Sequence, residues 1–190
     1  MSRRAIVVVA LLGAVLGPAC ASSTSAFPAC NRIDEGIFVL AAQAVPSATQ
    51  LACINSLPAG WTFGGSLIRS GLVRFWLDSD VAGIHAVEID LTAQCDTSEA
   101  TEVPPSADEV GTRVYQAPTS LPPRFAGTRY VVFQGGCVSS VYRFAPGAPA
   151  TMALEADAAV SLLPRRVIVA MVTDELDESL CGAGAPPCVP

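Results

Sequence analysis

Seven cysteines share this 190-residue chain with a single histidine, and their number constrains the fold more than any other feature. They are Cys20, Cys30, Cys53, Cys95, Cys137, Cys181 and Cys188. Cys20 follows a long apolar run and stands apart from the six behind it. Six thiols in an oxidising compartment can close three bridges. Spacing alone leaves many pairings open. The expectation is the sequential set, Cys30–Cys53, Cys95–Cys137 and Cys181–Cys188. In the last pair, the Gly-Ala-Gly-Ala-Pro-Pro insert at 182–187 can double back and bring the two α-carbons within bridging range. Zinc needs closely spaced ligands. No C-x-x-C occurs, and no cysteine lies within four residues of His85. No metal, redox dithiol or other cofactor is therefore expected.

The apolar run is Ala5 to Leu16, 12 residues behind Ser2-Arg3-Arg4. A bilayer-spanning helix takes about 20 residues, so the run has the length of a signal-peptide h-region instead. Gly17-Pro18-Ala19-Cys20 follows. Ala19-Cys20 resembles the end of the lipobox of bacterial lipoprotein precursors. Gly17 stands where that family prefers leucine, and Pro18 is unusual there. The resemblance covers only the first 20 residues. It implies cleavage before Cys20, acylation of that cysteine, and a Ser/Thr-rich tether. Ala19-Cys20-Ala21 is also an A-x-A site, so plain secretion is the alternative. Ser2-Arg3-Arg4 is similar to a twin-arginine signal as well, without that family's Phe or Lys. The expected organisation is a signal peptide over 1–19, a lipid-proximal tether over 20–29, and one globular domain over 30–190.

Charge narrows the partners. The chain carries 11 basic and 17 acidic side chains, a net charge of −6. Nucleic-acid binding needs a cationic footprint and is not expected. Apolar residues make up 51% and charged ones 15%, which a disordered chain would not show. Every basic residue is arginine. This lysine-free, Ala/Val/Gly/Pro-rich composition is similar to that of the uncharacterised exported proteins common in GC-rich bacteria.

Local patterns predict an α+β fold: a largely antiparallel sheet of hairpins, with helices at both ends and disulfide staples. Residues 34–44 read as a helix stopped by Pro46, with a buried strand as the alternative over Ile37–Leu40. Val73, Phe75 and Leu77 alternate with Arg74, Trp76 and Asp78, and Ser70-Gly71 joins this strand to 66–69. Val87, Ile89 and Leu91 alternate with Glu88, Asp90 and Thr92. A short strand is expected over 112–115. Gly135-Gly136 joins a second hairpin over 129–134 and 137–144. Asp96 to Asp108, with paired Pro104-Pro105, reads as a solvated acidic loop. Ala150–Leu163 reads as a helix. Pro164 breaks it and can open another, and 165–176 fits a helix better than a strand.

Few residues offer chemistry. His85 would have to serve any Ser-His-Asp or Cys-His arrangement, and no G-x-S-x-G elbow occurs. Asp78-Ser79-Asp80 lacks the further ligands of a calcium loop and suits a turn. Glu88 and Asp90 share a strand face and are the candidate carboxylate pair. Trp76 points away from the apolar set of its strand, between Arg74 and Asp78. Trp76 and Arg74 are thus candidate partner contacts. No catalytic residue is assigned. The expected function is that of a lipid-anchored, non-catalytic envelope protein on the outer side of the cytoplasmic membrane. Its partners would be the membrane through Cys20 and an envelope protein or glycan. The alternative is a secreted hydrolase using His85 or the carboxylates Asp78, Asp80, Glu88 and Asp90.

Overall fold

A computed structural model of the chain describes residues 27–32 and 36–180. The signal segment, Cys20 and the Cys181–Cys188 pair lie outside the described residues. Phe27, at the expected end of the tether, already packs its ring against Phe63, and Ala29 is buried.

Period-two alternation builds the centre. Strand β3 (Leu72–Ser79) lies between β2 (Trp61–Arg69) and β4 (Gly83–Thr92) in an antiparallel meander. A second meander, β6 (Arg113–Ser120), β7 (Ala126–Phe133) and β8 (Gly136–Arg143), adds to it through β8. A short strand β5 (Thr101–Val103) closes the far edge, giving a seven-stranded antiparallel sheet in the order β2-β3-β4-β8-β7-β6-β5. One face carries Phe75, Leu77, Val87, Ile89, Leu91 and Val138, all essentially out of solvent. Against that face lie α1 (Gly36–Ala44), the two-stranded antiparallel sheet of β1 (Gln50–Ile54) and β9 (Val160–Pro164), α2 (Met152–Ala159) and α3 (Arg165–Leu176). The α+β architecture follows the sequence expectation. No helix among the described residues is long and apolar enough to cross a membrane.

Among the described residues two disulfides are formed, Cys30–Cys53 and Cys95–Cys137, as the sequential set requires. Disulfides of this kind belong to chains that mature in an oxidising, extracytoplasmic setting. The second bridge has a topological job. The chain must pass β8, β7 and β6 to travel from the end of β4 to β5. Residues 96–100 make that crossing over Thr128 and Tyr130, on the outer face. Cys95 anchors the start of the crossing to the fully buried Cys137.

Two expectations need correction, and one strand adds to them. The helix predicted over 150–163 ends at Ala159, and Val160–Pro164 is a strand instead. Its backbone pairs with β1, and that ladder outweighs the helix propensity of its leucines. Strand β1 itself was not anticipated. The acidic loop over 96–108 is not wholly loop: Thr101–Val103 pairs with β6, which would otherwise present an unpaired edge. Residues 165–176 are helical as expected, with Pro164, the last residue of β9, at the N-cap rather than in the first turn.

Candidate binding cleft

The core face of the sheet does not stay apolar across all seven strands. Phe75 and Ile89 face each other on β3 and β4. The same cross-strand row continues through Ser140 on β8, Arg129 on β7, Gln116 on β6 and Thr101 on β5. On each strand the polar residue sits in the apolar phase: Val138-x-Ser140-x-Tyr142, Gly127-x-Arg129-x-Val131, Val114-x-Gln116. Parity therefore turns Arg129 inward, where α2 meets it.

Helix α2 buries Met152, Ala153, Ala156 and Ala159. Leu154, Asp157 and Ala158, spaced three and four apart, share the flank that borders the cleft. From the β5–β6 connection, a short 3-10 turn (Ala107–Glu109) brings Glu109 to the same point. Arg129 Nη2 donates to Glu109 Oε1 at 2.6 Å, and Arg129 Nε lies 3.6 Å from Asp157 Oδ2. The Tyr142 hydroxyl donates to Asp157 Oδ1. The Ser106 N–H and hydroxyl both donate to Glu109 Oε2 at 2.9 Å.

Burial sets the protonation of this cluster. It raises the Asp157 carboxyl above its ordinary value, and the Tyr142 bond and Arg129 only partly offset that. Burial acts on Glu109 in the same direction, but the Ser106 N–H, Arg129 and the Ser106 hydroxyl outweigh it and hold that carboxyl below its usual range. Burial and the Asp157 charge push the Tyr142 phenol well above its ordinary value. Arg129 loses from burial and gains more from Glu109 and Asp157, so it stays firmly cationic.

Two open spaces flank the cluster. One, of about 430 Å3, runs between β9 and the β5–β6 connection and is walled by Val131, Val138, Val160 and Leu162. The other, of about 320 Å3, lies on the far side of α2 against Pro118, Phe125 and Ala153. Gln116, Arg129, Leu154 and Asp157 line both, so they are two lobes of one cleft. Leu154 is 68% exposed at its mouth.

The residues singled out in sequence gather elsewhere, on the outer face of β3 and β4. Arg74 Nε and Nη2 donate to the two Asp90 oxygens at 2.6 and 2.5 Å, and Arg74 Nη2 lies 3.3 Å from Glu88. Trp76 Nε1 donates to Glu88 at 3.0 Å. The Trp76 ring stacks on the His85 imidazole, with centroids 5.0 Å apart. Asp78 accepts the His85 backbone N–H at 2.6 Å. Asp80 lies in the β3–β4 turn, beside Gly60. Trp76 and Arg74 are thus half-buried members of a network that satisfies itself. Trp61 is buried, with its indole N–H 3.2 Å from Glu155. Among the described residues, no three His, Cys, Asp or Glu side chains converge to hold a metal.

Sequence reasoning missed the cluster beneath α2. Its signal was available: three consecutive strands each place a polar residue in an apolar phase. Comparison of the chain with protein-family models, curated proteins and solved structures found no match.

Proposed function

We propose that this protein is a non-catalytic envelope protein, held on the outer side of the cytoplasmic membrane by a lipid on Cys20, that binds an envelope component or partner in the cleft beside α2. The observation that carries the binding role is the two-lobed cleft with Arg129 and Asp157 at its root. It combines apolar walls with a few convergent polar groups, as ligand sites do. Its ionic groups are tied to one another and to Ser106 and Tyr142, an arrangement that suits recognition by a fixed surface. The two disulfides and the segment ending in Ala19-Cys20 support the location.

Two experiments test this. A photoreactive amino acid at Leu154, in intact cells, should crosslink a specific envelope component, while the same group at Ile84, 82% exposed near the start of β4, should not. Equal adducts at both positions, or none at Leu154, would remove the cleft from the reading. Metabolic labelling with a clickable fatty acid should mark the wild type and spare Cys20→Ala; equal labelling of both would remove the anchor.

A further inference from the structure

Three charged side chains at the root of the cleft alternate in sign, from Glu109 through Arg129 to Asp157, and the series ends on an anion. Glu109 is fully engaged: Oε1 takes Arg129, and Oε2 takes the Ser106 N–H and hydroxyl. Asp157 is not. Its Oδ1 takes the Tyr142 hydroxyl, whereas among the described residues its Oδ2 has only Arg129 Nε at 3.6 Å, beyond hydrogen-bond length. Among the described side chains of this series, two carboxylates against one guanidinium leave one negative charge in excess. The chain as a whole carries −6, which draws cations to its surface.

Resting on the reading that this cleft binds a ligand, we infer that it takes a small organic amine, with the ammonium against Asp157 Oδ2 and an apolar body beside Leu154, Phe125 and Pro118. An ammonium supplies the donor that Oδ2 lacks, through a charge-assisted hydrogen bond, and extends the alternation by one sign. A carboxylate head would meet Asp157 charge against charge, and would find Arg129 already committed to Glu109. A neutral alcohol would give the hydrogen bond and leave the charge uncompensated. The lobes of about 430 and 320 Å3 suit a small molecule with a ring or short chain.

The test is calorimetric titration of the mature, oxidised protein with phenethylamine, phenethyl alcohol and 3-phenylpropionate, three probes of one shape and different charge. The amine should bind at least about tenfold tighter than either counterpart. Asp157→Asn should abolish that preference. Leu154→Arg, at a position 68% exposed, should do the same by placing its own cation three residues from Asp157. Equal or tighter binding of the alcohol or the acid would overturn the amine assignment and leave the cleft a binding site. An amine preference that survives in both variants would place the amine elsewhere and overturn the assignment too. If no probe binds while Leu154 still crosslinks an envelope component in cells, the amine chemistry falls and the binding role stands. If neither occurs, both fall.

Discussion

The Tyr142 hydroxyl donates to Asp157 Oδ1 and so ties strand β8 to helix α2 at the root of the cleft. Tyr142 is buried, and its phenol is held neutral by that burial and by the charge beside it. Tyr142→Phe keeps the ring in its cage with Phe125 and Phe144 and removes only the donor. The expected cost is about 1–2 kcal/mol. It should be greater at neutral pH than in acid, because the lost bond favours the ionised carboxyl.

The two carboxyls of the cluster should give opposite pH signatures. Asp157 is raised by burial, so its contribution to stability is complete below the unfolded carboxyl range, about pH 4, and is lost as pH climbs through its folded value. Glu109 is depressed because Ser106 and Arg129 outweigh its burial. Its contribution is present above that range and lost as pH falls through its own folded value. Asp157→Asn should therefore close on the wild type as pH rises, and Glu109→Gln should fall further behind. Urea unfolding at about pH 3.5 and about pH 7, on either side of the carboxyl range, measures both; trends of the same sign would contradict the assigned directions.

Arg74 and Asp90 are directly opposed on β3 and β4, and the guanidinium fork meets both carboxylate oxygens. Arg74→Ala leaves Asp90 and Glu88, both largely covered, short of their cation and should cost about 1–3 kcal/mol. Arg74→Lys should recover less than half of that, since an ammonium cannot reproduce the fork. Denaturation midpoints of the three proteins settle the order.

Gly135, in the β7–β8 turn, has φ +72°, and a β-carbon there would lie 1.9 Å from the Ser47 carbonyl oxygen. The turn is held on that loop: Ser47 Oγ donates to Gly135 O, and Thr49 Oγ1 donates to Gln134 O, each at 2.7 Å. Gly135→Ala combines backbone strain with a backbone clash and should destabilise by about 2–4 kcal/mol. A thermal midpoint unchanged from wild type would show that the 47–49 loop yields freely.

The Cys95–Cys137 bridge closes a loop of 42 residues, and Cys30–Cys53 one of 23. Loop-closure entropy gives each roughly 3–4 kcal/mol. The double replacement Cys95→Ser with Cys137→Ser should show a loss of that order in chemical denaturation. Full reduction of the wild type, which also opens Cys30–Cys53, should cost more than the double replacement alone.

Alternation made the hairpins legible, because Val73, Phe75, Leu77 and Val87, Ile89, Leu91 bury one side of a strand whatever else the chain does. Cysteine order likewise gave both described bridges. Strand β9 was not legible: Val160 to Leu163 continue an alanine-rich helix in composition, and only the distant partner Gln50–Ile54 draws them into a ladder. The cleft was hidden for a related reason. Arg129 reads as an ordinary strand arginine until register sets it beside Ser140 and Gln116, and Asp157 as an ordinary helix residue until α2 settles over that row. The outer-face residues, Arg74, Trp76, Glu88 and His85, were found together in the structure because one hairpin carries them all.

The β4–β8 ladder pairs Val87–Thr92 with Cys137–Tyr142, and it is the seam between two halves that are each made of near neighbours. Any chain delivered N-terminus first can assemble β2–β4 long before β8 exists to meet it. Until then β4 waits with a bare hydrogen-bonding edge, the hazard that slow long-range pairing brings. Cys95, three residues past the end of β4, meets its partner at the first β8 position of that seam. The cystine thus acts as a zip-stop: once the late half arrives, the join cannot slide in register or drift apart again.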